Sequence, residues 1–541
     1  MKSKLILTGL TGLTVAVLAA CGGGGDSTKT VSSTKVSGTA ATGAALAGST
    51  VSAKCASGSG SATTAADGTF TINIENAQRP CVLSVTTPDG TTLHSVVEAG
   101  SENSVVANVT PFTELITAAL AQGSTKTFFE QFDANAQARL TPANLASSTE
   151  TVRTTLTGLV DLTGFDPLKG ALVAANNGKT GNALDQLLDQ LGARLKSSGA
   201  TVSDLSTAVG SNAGTVAIGT ILQKASATCA GLRTGDYFMM GPVSGFPVSI
   251  DADGLTLTPK IPASVISPSA SISALSMVAN TAEACRFDIA AITKSMLVAK
   301  SGVGMLIPSA GSVATGGVPV LIVPAQKLPL AELAGNWNAL TFDTANGTSF
   351  TSARVSFTLD ANGKMTAAQT CNDDNVCTAW TAGELPTLTQ QADGSYLAVD
   401  STRTSVAVGF KGTDGVISAV ISKSDGIMLA AKENVRALPV VGSTSTYWDY
   451  VTFGDTSTQL NRASTTILSV DTANNMYTRK RNEDGRLDTW KQNFPTNGLR
   501  YRSKSAGADE AFQMVLGNTG VGVNVGLHVS KPYFDISVLR P

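Results

Sequence analysis

The segment "YTRKRNEDGRLDTWKQNF" carries the strongest local chemistry in this chain. Eight Lys and Arg residues lie between 479 and 504, against three acidic ones, Glu483, Asp484 and Asp488. The whole chain is nearly neutral, with 38 basic and 40 acidic residues. An Asp484-Gly485 turn joins two strand-like runs, and alternate positions such as Arg479 and Arg481 share one strand face. Arg502 follows on the next strand. Guanidinium groups recognise phosphate and carboxylate through charge-assisted hydrogen bonds. Arg479, Arg481 and Arg502 are therefore candidates for holding an anionic envelope component, with lipopolysaccharide as the example. The plain alternative is a solvated hairpin.

Other chemistry is sparse. Two histidines, His94 and His528, leave little for acid-base schemes built on imidazole, and a lone His94 in a strand reads as structural. No G-x-S-x-G, HExxH or Walker loop occurs. "GNTGVGVNVG" from Gly517 looks like a nucleotide loop, but no helix follows it to present amides to a phosphate. Asp185 and Asp189 lie one helical turn apart and read as a solvated face. Asp373 and Asp374 sit between Cys371 and Cys377 without the spacing of a calcium loop. No metal, cofactor or nucleic-acid partner is expected. A hydrolase built on paired carboxylates has no sequence signature and stays as a third alternative.

Seven cysteines are present. Cys21 ends a short apolar run, Leu5 to Leu18, that follows Lys2 and Lys4. A membrane-spanning helix needs about twenty apolar residues, so this run suits a cleaved export signal. Leu18-Ala19-Ala20-Cys21 resembles the bacterial lipobox, in which the cysteine thiol takes a diacylglycerol. That resemblance implies lipidation at Cys21 and attachment to the membrane through the N-terminal lipid. Gly22, where an aspartate would resemble the inner-membrane retention signal, points to the outer membrane, on its periplasmic or surface side. The other six cysteines allow fifteen pairings. Spacing favours the local set, Cys55 with Cys81, Cys229 with Cys285 and Cys371 with Cys377.

These residues need a scaffold, and the chain predicts a multi-domain, mainly β protein. A signal peptide covers 1–20 and a Gly-rich tether 21–35. Residues 36–108 alternate apolar and polar positions, as in "ADGTFTINI", and form a small antiparallel β-sandwich. The runs Leu46-Ala47-Gly48-Ser49-Thr50-Val51 and Asp67-Gly68-Thr69-Phe70-Thr71-Ile72 resemble the carboxypeptidase regulatory-like (transthyretin-like) family, which implies a spacer rather than a catalyst. Residues 109–225 change to a helical period, with Thr-Pro starts at 110 and 141 and a leucine stripe at 184, 187, 188, 191 and 195. Phe128, Phe129 and Phe132 read as core.

The strand period then returns as antiparallel β barrels or sandwiches, divided as 226–330, 331–440 and 441–541. Three aromatic-bearing strand starts, at 229, 333 and 445, lie roughly a hundred residues apart. Gly335-Asn336-Trp337 looks like the Gly-x-Trp that opens a lipocalin first strand. The four tryptophans read as core or barrel plugs. The functional expectation is a lipid-anchored, non-enzymatic binding or structural module of the envelope. The alternative is a lipocalin-like carrier of a small apolar ligand.

Overall fold

The computed structural model describes residues 33–242, 245–260, 273–309, 320–345, 349–372, 376–455, 457–504, 510–527 and 532–541. Cys21, Asp373, Asp374 and His528 lie outside the described residues, with the export signal and most of the tether.

Strict alternation builds the first unit. Phe70, Ile72 and Ile74 of the strand Thr69–Glu75 are buried while their neighbours face water. That strand joins a three-stranded sheet, which packs on a four-stranded sheet across a core of Val36, Val51, Leu83 and Leu93. Cys55 and Cys81 are directly opposite in register and bonded, with Cα atoms 3.9 Å apart.

Helices follow. Thr110 caps the helix Pro111–Ala121 in a capping box with Thr113, and Pro111 occupies its first turn. The helix Ala183–Ser198 buries all five leucines of its stripe and stops at Gly199, which adopts a φ of 65°. Asp185 departs from its expected solvated setting. It is fully buried, accepts the Ala175 N–H at 3.0 Å, and burial raises its pKa, with Asp189 adding a smaller push. The residues preceding the helix cover this carboxylate, which the helical period alone does not reveal. Asp189 stays exposed.

Three consecutive antiparallel meanders fill the rest of the chain. Their first strands are Gly235–Met240, Gly335–Ala345 and Thr444–Phe453. In the first two, nine strands form a ring open at one point, because the first strand pairs with both the second and the last. The opening lies between Leu275–Ser276 and Val278–Ala279 in one, and between Cys377–Ala379 and Thr387–Gln390 in the other. The third is a closed eight-stranded barrel. Cys229–Cys285 and Cys371–Cys377 are bonded, with Cα separations of 4.9 and 4.0 Å.

One continuous core joins the three meanders. Leu340 and Phe342 of the second meander and Val523 and Ile536 on the outside of the barrel pack with Met305 and Leu321 of the first. Polar ties reinforce it. Glu283 of the first meander accepts from the Arg462 guanidinium and from Trp448 Nε1 at 3.2 Å on the barrel, while Arg286 pairs with it at 2.7 Å. These donors, Arg462 foremost, hold the Glu283 carboxyl down at about 2 against the burial that opposes them.

Candidate functional sites

Period-two alternation gives every strand of a meander an inside and an outside. Because outer faces of the three meanders pack together, inner faces are left to form lumens, and those of the second meander and the barrel enclose cavities lined by described residues.

The second meander encloses a cavity of about 350 Å³. Trp337 lies at its floor, stacked on Phe357 with ring centroids 5.7 Å apart. Its Nε1–H donates to the Leu333 carbonyl at 2.8 Å, so the indole presents only apolar surface to the space above. Leu359, Met365, Leu388 and Met428 line the walls. Tyr396 is buried there with its hydroxyl donating to the Leu328 carbonyl, and burial pushes its pKa up to about 12. Charges stand apart from this floor as ion pairs. Lys423 bridges Asp343 and Asp425, and Arg403 lies 3.3 Å from Asp425. Trp380 is half-buried on the wall, with Nε1–H bonded to Thr370 Oγ1 at 2.8 Å. An apolar body with a polar end fits this arrangement. Burying about 200 Å² of apolar ligand surface would contribute about 5 kcal/mol before association costs.

The barrel lumen is the opposite case, a cavity of about 430 Å³ lined by charges. Arg479, Arg481 and Arg502 all point into it, joined by Arg486. The expected convergence of these arginines is present, but on the inner wall of the barrel rather than on an outer hairpin face. Lys480 pairs across the hairpin with Leu487 on the outer side. Asp488, almost fully buried, stands among three of the guanidiniums: Arg486 at 3.1 Å, Arg502 at 3.2 Å and Arg479 at 3.8 Å. Arg479 and Arg502 also lie over the Trp490 ring, 5.2 and 5.3 Å from its centroid. Exposure falls from the mouth inward: the side chains of Arg486 and Arg481 are 36% and 28% exposed, those of Arg479 and Arg502 16% and 10%. Tyr477 and Trp490, with Leu438 packed against them, form an inner cluster.

Two further carboxylates in this lumen, Asp449 and Asp535, were not among the sequence candidates. Burial raises the pKa of both, and the charge of Asp449 raises Asp535 further. Asn524 donates to Asp535 at 2.9 Å. Their signal was present in "YFDISV", where Phe534, Ile536 and Val538 alternate with polar residues, so Asp535 shares a face with Ser537.

His94 is structural, as expected. Its N–H and Nδ1 lie 2.7 and 2.8 Å from Glu114 Oε2, while Thr125 and Ser206 donate to Oε1, both at 2.7 Å. The Glu114 carboxylate thus ties the sandwich to three helices. Phe128 and Phe132 pack edge to face in the helical core. Among the described residues no cluster of three or more His, Cys, Asp or Glu has the placement of a metal site. No described helix is long and apolar enough to cross a membrane.

No family model matches the chain, residues 36–108 included, and no curated protein matches it. Solved structures with some likeness include a DUF3598-family protein of unknown function from Nostoc punctiforme PCC 73102. It shares 10% identity at a TM-score of 0.15, over 40% of this chain and 100% of that one. Transferrin binding protein B from Haemophilus parasuis Hp5 shares 9% at 0.20, over 56% and 66%. The isotype 1 transferrin binding protein B of serogroup B Neisseria meningitidis shares 11% at 0.18, over 59% and 68%. Likeness at this level assigns neither family nor function.

Proposed function

We propose that this protein is a non-enzymatic binding lipoprotein of the cell envelope. In this reading acylated Cys21 holds it to the outer membrane and the second meander carries a small, largely apolar ligand with one polar end. The observation that carries the reading is the cavity floored by the stacked Trp337–Phe357 pair, whose polar atoms are already satisfied within the fold. The sandwich at 36–108 and the helices serve as the spacer between anchor and meanders. A carboxylate-pair hydrolase fits less well. Asp449 and Asp535 stand on adjoining strands of one wall, whereas glycoside hydrolysis needs carboxyl groups flanking the scissile bond.

The test is fluorescence titration with N-phenyl-1-naphthylamine, a neutral apolar probe. The expected result is saturable one-to-one binding that is lost when Met428→Trp fills the cavity. Unsaturable binding, or binding untouched by Met428→Trp in a folded variant, contradicts the reading. For the anchor, Cys21→Ser is expected to release the protein from the membrane fraction.

A further inference from the structure

The barrel lumen has two chemically distinct walls. Asp449 lies on the strand Thr444–Phe453 and Asp535 on Tyr533–Leu539, which pair with each other to close the barrel. Asn524 is on the adjoining strand Val521–Gly526. In the cyclic strand order, Leu487–Gln492 and Leu499–Arg502 lie opposite these two closing strands. They carry Asp488, Trp490 and Arg502, and the neighbouring strand Met476–Arg481 adds Arg479 and Arg481. One wall is a cluster of guanidiniums and the other a cluster of carboxylate and amide oxygens.

Among the described residues, the lumen's buried polar atoms left without a hydrogen-bond partner divide the same way. On the arginine wall they are donors: Nε of Arg479 and Arg486, and Nε1 of Trp490, a residue only 1% exposed. On the aspartate wall they are acceptors: Oδ1 of Asp535 and Oδ1 of Asn524. Buried polar groups normally find partners, so a matched set of orphans on residues that line one cavity describes the missing partner. Charge agrees. Arg479, Arg486 and Arg502 surround one committed carboxylate, Asp488, on their own wall, while Arg481 lies 3.9 Å from Glu483 and 3.8 Å from Asp484. Glu483 and Asp484, at the rim, already accept backbone N–H groups from Ser464 at 2.6 Å and from Arg486 at 3.0 Å. Across the lumen, two carboxylates share a wall on which burial raises both, with Arg479 and Arg481 opposing it by smaller amounts. An oxyanion alone would satisfy the first wall and repel the second.

We infer that the barrel lumen binds a small zwitterion, with its carboxylate or phosphate against Arg479, Arg481, Arg502 and Trp490 and its protonated amine against Asp449, Asp535 and Asn524. This site is separate from the apolar cavity and does not rest on it. It also places the anionic partner inside the barrel, where a large envelope polymer cannot follow but a small head group or metabolite can.

Isothermal titration calorimetry on the full chain tests this with four probes. Phosphoethanolamine and 4-aminobutyrate are zwitterions; ethyl phosphate and butyrate are their counterparts without the amine. At least one zwitterion should bind tenfold or more tightly than its counterpart. Preference for phosphoethanolamine identifies a lipid head group as the source, and preference for 4-aminobutyrate an amino-acid-like metabolite. Asp535→Asn should weaken the zwitterion at least tenfold and leave the simple oxyanion unchanged or tighter, whereas Arg479→Gln should weaken both. N-phenyl-1-naphthylamine binding and an unchanged circular dichroism spectrum check that each variant is folded. Equal affinity for zwitterion and oxyanion, indifference to Asp535→Asn, or no binding of either zwitterion at millimolar concentration overturns the inference.

Discussion

Trp337 floors one lumen and Trp490 lines the other; both are 1% exposed, and both stand on strands of antiparallel meanders. Their surroundings differ in one respect that propagates outward. The chain just before the second meander offers Trp337 a carbonyl, from Leu333, so its N–H is satisfied and the space above it can be apolar. Among the described residues Trp490 has no such carbonyl. Its N–H is left without a hydrogen-bond partner, two guanidiniums cover its ring, and a buried carboxylate holds those guanidiniums in place. Closing a β-ring fixes the size of a lumen; how the floor's polar atoms are satisfied fixes its chemistry. The same up-and-down topology therefore hosts an apolar cavity and a zwitterionic one.

The largest expected effect tests whether the two lumens are independent. Glu283 ties the first meander to the outside of the barrel and touches neither cavity. Glu283→Ala strands Arg462 and Arg286 and should cost about 3 kcal/mol in chemical denaturation, with N-phenyl-1-naphthylamine affinity unchanged. The sign of its pH dependence is fixed. A carboxyl held at about 2 in the fold, below its usual value of 4.5, stabilises above pH 4.5, and that contribution fades as pH falls toward 2. The gap between wild type and Glu283→Ala should therefore narrow over that window.

A paired substitution addresses the floors directly. Trp337→Phe leaves the Leu333 carbonyl unpaired in the interior and should cost about 1–3 kcal/mol. Trp490→Phe shrinks a buried indole likewise but leaves no carbonyl unpaired, so its cost without ligand should be smaller than that of Trp337→Phe. Denaturation midpoints that reverse this order would break the comparison.

The smallest effect concerns the aspartate wall. Burial raises the Asp535 pKa, so folding without ligand is opposed once pH climbs above the ordinary carboxyl value of 3.8. Asp535→Asn should stabilise the free protein by about 1 kcal/mol at pH 7. Below pH 3.8, where the carboxyl is protonated folded or unfolded, that gain should vanish. Melting curves at pH 3.5 and 7 check it.

Much of this scaffold is legible in the sequence because its signals are local. The three cysteine pairs lie within single units, and the leucine stripe of Ala183–Ser198 needs only the helical period. Gly335-Asn336-Trp337 marks a first strand, and Arg479 with Arg481 must share a face. What that face looks onto is not local. Polar positions alternating with apolar ones describe equally a sheet with a wet outside and a barrel with a wet inside, so the arginines read as a surface patch. Their counterparts, Asp449 and Asp535, lie at the two ends of the barrel sequence and meet only on closure. The apolar cavity is hidden for a different reason: Phe357, Met365 and Met428 look like any core residues until the sheet curls around unfilled space. The helical period cannot show the burial of Asp185, because its cover comes from outside the helix.

The central claim is that two rings of similar build hold two ligands of opposite chemistry at once. The most direct measurement is calorimetric titration of the favoured zwitterion into protein first saturated with N-phenyl-1-naphthylamine, at 50 and 300 mM salt. The account predicts an unchanged zwitterion affinity at 50 mM, a weaker one at 300 mM as salt screens the partly exposed Arg481 and Arg486, and no loss of bound dye at either. Displacement of the dye by the zwitterion, or salt sensitivity that follows the dye instead, would contradict it.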